Sequence, residues 1–285
     1  MIPKKLICFD LDGTLLDDQK RVAPHNRRLV QELVAQGHVV AIATGRLYKS
    51  ARKVRRFFPA EVEIICSNGA VVENAGTIIR KDQIPVEQLA VLYELTKAYD
   101  LSLAFVSLYA AYHTKMGWTL LMNYFSNVVN QGPETIRNIH VRTEEEFLRY
   151  AAYYINGIVI SRSRPEAIAA LRKDLEALHC FNIESSGEDN VEIIPKGSNK
   201  GVAAQMLAAY HGISLENIIA FGDGENDAKL LRMAGLGIAM GNAPLKVQEA
   251  ADRIIGDNNS DAIARTLQEL LDLDPAILAS PPSFE

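Results

Sequence analysis

The sequence predicts an α/β protein built on a doubly wound, mostly parallel sheet, with a smaller α/β unit inserted into it. Three observations carry this. Short, near-continuous apolar runs alternate with helix-period segments in the first third of the chain, the signature of parallel strands buried on both faces. The same alternation returns in the last third. The middle, about residues 83–189, breaks the rhythm and holds most of the tyrosines and the single tryptophan, Trp118.

In chain order, "KLICF" is a short β-rich run. "PHNRRLVQELVAQG" opens on Pro24, spaces its apolar residues at helical intervals and stops at Gly37. "HVVAIA" is the next strand, followed by a basic amphipathic segment from Leu47 to Phe58 and the strand "VEIIC". In the middle, strands "NGIVIS" and "FNIESS" flank a helix from Arg164 to Leu178, and "ESSGEDNVEII" suggests a hairpin around Gly187. The last third gives a helix over Lys200 to Tyr210, strand "NIIAF", a helix over Ala228 to Ala234, and strands "LGIAM" and "DRII". The expected domains are therefore 1–82 with 190–275 as the core and 83–189 as the insertion. The Pro-rich tail 276–285 is expected to be poorly ordered. Trp118, Tyr124 and Phe125 are expected in the core of the inserted unit.

Composition narrows the class. A chain of 285 residues, 48% hydrophobic, can bury one large core or two moderate ones. A net charge of -5 with no basic block argues against nucleic acid. Cys8, Cys66 and Cys180 are odd in number and set in apolar runs, which points to reduced thiols and a cytoplasmic location. Asp10 cuts off the apolar stretch after Lys4 and Lys5 too early for an export signal. The uncharged segment 116–133 holds Asn123, Ser126, Asn127, Asn130 and Gln131, which argues against a membrane span. The expected state is a monomer or weak homo-oligomer.

The strand ends carry the chemistry. "LICF" ends in Asp10 and Asp12. "VVAIA" ends in Thr44, Gly45 and Arg46, and "EIIC" in Ser67, Asn68 and Gly69. "NIIAF" runs into Gly222, Asp223, Gly224, Glu225, Asn226 and Asp227. In an open parallel sheet these carboxyl ends lie on one edge, where ligands bind. Asp10, Asp12, Asp223 and Asp227 together crowd negative charge, which raises pKa values or demands a cation. The candidate ligands are all oxygens, so Mg²⁺ is the expected ion. Lys200 opens a helix whose first amides favour anions. A metal, carboxylates, Thr44 and a lysine make up equipment for handling phosphate.

Other patterns carry less. "GLGIAMG" lacks the dinucleotide spacing, and in "GSNKG" the lysine precedes the final glycine, unlike a P-loop. "DNNSDAIARTLQ" lacks the glycine and closing glutamate of a calcium loop. His113 and His140 show no ligand spacing and are expected on the surface or in packing.

"DLDGTLL", "ATGR", "SNKG" and "GDGENDAKLL" resemble, in order, the four motifs of the haloacid dehalogenase-like superfamily. The insertion, "SNGA" and "GIAMGNA" are similar to the Cof-type phosphatases. The chain departs from that pattern in "NDAKLL" and at Ala262, where glycine is usual. The resemblance implies a catalytic core with an α/β cap that selects the substrate. It implies that Asp10 is the nucleophile, forming an aspartyl-phosphate, and that Asp12 is the general acid and base. Asp10, the Asp12 carbonyl and Asp223 would hold Mg²⁺, with Asp227 and Asn226 in support. Thr44, Lys200, Asn226 and the amides of Leu11 and Gly45 would bind phosphoryl oxygens, with Arg46 and Asn68 as substrate contacts. The implied activity is hydrolysis of small phosphorylated metabolites such as sugar phosphates. A phosphomutase, or a receiver module phosphorylated on aspartate, stands as the alternative.

Overall fold

The computed structural model describes residues 3–114, 137–184 and 188–273. Its strands are β1 (Leu6–Phe9), β2 (Val39–Ala43), β3 (Glu63–Cys66), β4 (Val71–Asn74), β5 (Thr77–Lys81), β6 (Leu103–Val106), β7 (Ala110–His113), β8 (Arg137–His140), β9 (Asn156–Ile160), β10 (Phe181–Glu184), β11 (Asn190–Pro195), β12 (Ile218–Gly222), β13 (Leu236–Ala239) and β14 (Arg253–Ile254). They form an eight-stranded sheet in the order β14-β13-β12-β1-β2-β3-β4-β5 and a six-stranded sheet in the order β10-β11-β9-β6-β7-β8.

The chain divides into two compact units. The first takes in residues up to 45, 51–79 and those from 199 onward; the second takes in 46–50 and 80–198. The return crossing therefore falls at 198/199, not at 190. The reason is pairing: β11 bonds antiparallel to both β9 and β10, so Asn190–Pro195 belongs to the second sheet. Trp118, Tyr124, Phe125, Gly187 and the tail 276–285 lie outside the described residues.

In the first unit, β1 is central and parallel to β2 and β12, and β3 and β13 continue the parallel pattern outward. Side chains of β1 alternate between two cores. Ile7 and Phe9 pack with Leu29, Val30 and Leu33 of the helix Pro24–Ala35 and with Leu267 and Leu271 of the helix Ala262–Leu271. Leu6 and Cys8 pack with Ala203, Ala204 and Leu207 of the helix Lys200–Tyr210. Both faces are dry, which is why the strands read as unbroken apolar runs. The helix from Pro24 starts on a residue whose fixed φ suits the first turn, and Gly37 at φ +84° lets the chain leave it. The basic segment after Leu47 is helical over Tyr48–Arg55. Beyond β3 the sheet is extended by β4, which pairs antiparallel, and by β5, neither of which the strand pattern predicts.

The second unit is mostly antiparallel and covers one face of its sheet with helices Val86–Ala98, Glu144–Arg149 and Pro165–Ala177. Its core is aromatic: Phe105 stacks on Tyr154 at 4.8 Å, and Phe147 meets both within 5.5 Å. Tyr154 places its hydroxyl hydrogen on the Phe147 carbonyl at 2.8 Å, so the ring enters the core with its polar end satisfied. The opposite face buries Ala104, Val106, Ala111, Ile158 and Ile160 together with Leu47. His113 and His140, paired across β7 and β8, stack at 5.1 Å. Cys8, Cys66 and Cys180 are free thiols. No helix among the described residues is long and apolar enough to cross a membrane.

Candidate active site

The site is built in the first unit, where β1 and β12 end side by side. Asp10 follows β1 and donates its backbone N–H to the Phe221 carbonyl at 3.0 Å, so the sheet register carries on to the carboxylate itself. The chain then turns tightly: Leu15 and Leu16 donate to the carbonyls of Asp10 and Leu11. Gly13 sits at φ +85°, and a Cβ there would fall 2.1 Å from Asp223 Oδ2. Glycine at this point is what lets the two acidic loops touch. From the other side, Asp227 Oδ2 accepts the N–H groups of Asp223 and Gly224 at 3.1 and 2.9 Å, folding the loop after β12 back on itself.

Lys200 completes the group. Asn199 caps its helix, accepting from Val202 N–H at 3.0 Å, and so fixes where the first side chain emerges. The Lys200 ammonium, 1% exposed, lies 2.7 Å from Asp10 Oδ1 and 2.6 Å from Asp227 Oδ1. With Oδ1 on lysine and Oδ2 on two amides, Asp227 spends both oxygens on protein donors. Among the described residues the side-chain partner of Asp10 sits on Oδ1, which leaves Oδ2 for other work.

The charges do not balance. Asp10, Asp223 and Asp227 each bring one oxygen within 4.8 Å of the others, against one ammonium. Burial pushes Asp10 well above the usual carboxylate range; Lys200 pulls it down, and Asp227 and Asp223 push it up again. Asp223 is pushed up to about 6, first by burial and then by Asp227, against the hydrogen bond from Thr14 Oγ1 at 2.8 Å. Burial pulls the Lys200 pKa down, but Asp10 and Asp227 outweigh it, so the side chain stays an ammonium. Three carboxylates, all oxygen donors with an excess of negative charge, fit a hard divalent cation such as Mg²⁺. Among the described residues Asp227 takes three donors, Asp223 two and Asp10 one, so Asp10 and Asp223 keep the greater capacity to hold it.

The remaining residues sort around this group. Asp12 is half-buried, and its carboxylate is outside the cluster of three; Oδ1 pairs with Lys20 Nζ at 2.9 Å. Leu11 and Thr44 are buried. Asn226 Nδ2 donates to Asn68 Oδ1 at 3.0 Å, and Gly45 lies so close that a Cβ would reach 2.9 Å from that same oxygen. Ser67 and Asn68 adopt φ +51° and +53°, and Gly69 at +89° packs on the Asn199 carbonyl, so this turn braces the cap of the lysine helix. Arg46, with residues 47–50, is grouped with the second unit. Sequence reasoning missed Thr14, Lys20 and Asn242, whose Nδ2 donates to the Gly13 carbonyl at 2.9 Å. Thr14 was legible as part of "DLDGTLL"; for Lys20 and Asn242 no local signal marks the partner.

A sequence profile of the haloacid dehalogenase-like hydrolases matches residues 7–267. The 5-amino-6-(5-phospho-D-ribitylamino)uracil phosphatase YitU of Bacillus subtilis is 30% identical over 279 residues, covering 94% of this chain and 98% of its own. The pyridoxal phosphate phosphatase YbhA of Escherichia coli is 28% identical over 267 residues, 92% of this chain and 96% of its own. Among solved structures, one from Thermotoga maritima superposes with a TM-score of 0.79 at 26% identity, covering 94% of this chain and 97% of that one.

Proposed function

The chain belongs to the haloacid dehalogenase-like hydrolases, and we propose that within them it is a magnesium-dependent phosphatase of small phosphorylated metabolites, working through an aspartyl-phosphate on Asp10. The observation that carries the reading is the Asp10–Lys200–Asp227 bridge with Asp223 beside it, three carboxylates on one ammonium. Relatives named for a ribitylaminouracil phosphate and for pyridoxal phosphate support the substrate class. We assign substrate choice to the inserted second unit.

Asp10 Oδ2 attacks phosphorus in line; the new Asp10–phosphorus bond forms as the bond to the leaving oxygen breaks. Lys200 opposes the effect of burial on Asp10, because proton uptake by Asp10 would leave the ammonium with one carboxylate instead of two. Asp12 gives its proton to the leaving oxygen, then takes one from the water that attacks the aspartyl-phosphate. That second attack breaks the Asp10–phosphorus bond and restores the Asp10 carboxylate and the protonated Asp12. Thr44, Asn226 and the amides of Leu11 and Gly45 hold phosphoryl oxygens. Asp10, Asp223 and the Asp12 carbonyl would hold Mg²⁺, which when bound would offset the repulsion between an anionic nucleophile and an anionic substrate.

The test is rapid mixing of Asp12→Asn with nitrophenyl phosphate and Mg²⁺. Nitrophenolate leaves without a proton, so transfer to Asp10 should survive while water attack stalls. A burst of about one equivalent, then slow turnover, is expected. Transfer from a sugar phosphate should fall by about 10²–10⁴ in the same variant. Equal slowing of both substrates with no burst would remove Asp12 from acid–base work. Turnover by the unaltered protein after full chelation would remove the metal.

A further inference from the structure

Asn242, in the "GIAMGNA" segment after β13, has the whole of its side-chain amide specified by its surroundings. Its Oδ1 accepts the Asn258 N–H at 3.2 Å, so Nδ2 must be the end that faces the Gly13 carbonyl at 2.9 Å and Asp223 Oδ2 at 3.4 Å. Two carbonyl-type oxygens on one side and an N–H on the other call for an amide. An aspartate there would set a third oxygen against Gly13 and a second carboxylate against Asp223. Asp223 is thus held from two sides, Oδ1 by Thr14 and Oδ2 by Asn242.

The asparagine is itself anchored. Asn258, buried, donates Nδ2 to the Leu16 carbonyl at 2.9 Å and to Asp18 Oδ1 at 3.1 Å. Gly241 N–H reaches the Gly256 carbonyl at 3.0 Å and closes the strap behind it. Three segments far apart in sequence meet at this one amide: the loop after Asp12, the loop after β12 and the strap 241–258.

We propose that Asn242 is a positioning residue for the cation-binding carboxylate: it fixes the orientation of Asp223 and ties it to the Asp10–Thr14 loop, so that magnesium meets a prearranged pair of ligands. The proposal rests on the phosphatase reading above. Outer partners that orient metal ligands are worth about 10–100-fold in metal affinity or activity when removed, and Asn242 has the geometry of such a partner.

The experiment follows thermal unfolding of the full chain during Mg²⁺ titration, with Asn242→Ala, Asn242→Ser and Asn258→Ala. Each variant is compared with its own metal-free form, so a general loss of stability cancels. The expected result is a half-saturating Mg²⁺ concentration about tenfold or more higher in Asn242→Ala, with Asn242→Ser between it and the unaltered chain. Turnover should recover at high Mg²⁺, separating metal affinity from kcat. Asn258→Ala keeps its backbone N–H on Asn242, so it should lower stability yet hold half-saturation within about twofold. An unchanged half-saturation in both Asn242 variants, or an equal shift in Asn258→Ala, overturns the proposal. An unaltered chain that ignores Mg²⁺ overturns the metal reading itself, a distinct result.

Discussion

At the carboxyl ends of β1 and β12, Asp10 and Asp227 share Lys200, with Asp223 beside them. At the amino end of β3 in the same sheet, Glu63 Oε1 meets His211 Nε2 at 2.6 Å and Asn74 Nδ2 at 2.6 Å. One helix joins the two: Lys200 is its first residue and His211 its C-cap. Both ends bury charge, and burial raises the carboxylate pKa at both, with His211 and Asn74 opposing it at Glu63. The difference is the balance. At the amino end one carboxylate meets one imidazole and one amide through Oε1, while Oε2 of Glu63 is buried with no hydrogen-bond partner among the described residues. The carboxyl end gathers three carboxylates on one ammonium among the described residues, and that surplus is what a cation and a phosphate chemistry would use.

The largest expected effect separates the ends by function. Asp10→Asn should lower kcat on nitrophenyl phosphate by at least about 10⁴, since it removes the attacking oxygen. Glu63→Gln should change kcat by less than about twofold; a comparable loss there would erase the distinction between the ends.

Stability should separate them next. Lys200→Met leaves Asp10 and Asp227 buried without their ammonium, and urea unfolding should show a loss of about 3–5 kcal/mol. Glu63→Gln keeps an oxygen for His211 and Asn74 but removes its charge, and should cost about 1–3 kcal/mol. Equal costs would mean that the surplus charge at the carboxyl end carries no special penalty.

The two ends should also respond to pH with opposite signs. Asp223, at about 6 in the folded chain against an ordinary value of 3.8, contributes stability that is present below 3.8 and lost as pH rises through about 6. Asp223→Asn should therefore stabilise the metal-free protein at pH 7, by about 0.5–2 kcal/mol, while abolishing its response to Mg²⁺. At the amino end His38 accepts the Lys5 N–H on Nδ1 at 3.2 Å, and burial, then Lys5, lowers its pKa below 6.5. Its contribution is present above 6.5 and lost as pH falls through the folded value. His38→Gln should flatten the stability profile on the acid side of 6.5 by less than about 1 kcal/mol. A profile with the same slope in both variants would break the comparison.

The sequence by itself determined the parallel half of the fold and the acidic centre. Strands buried on both faces leave little room for polar residues, so β1, β2 and β12 appear as apolar runs and β3 as one that only Glu63 interrupts, and each ends where its loop residues change character. Asp10, Asp223, Asp227 and Lys200 were legible because their positions follow from those ends. Tertiary structure alone decided the rest. The short strands β6 and β7 and the helix Val86–Ala98 carry no strong period, and β11, which the hairpin pattern "ESSGEDNVEII" already joined to β10, is held in the second sheet by pairing with both β9 and β10. The partners of Asp223 were out of reach for a simpler reason. Thr14 lies 209 residues from it, and Asn242 lies 229 residues from Gly13. Local pattern records which residues a strand end presents, while a hydrogen bond across that distance exists only once the sheet has brought the loops together.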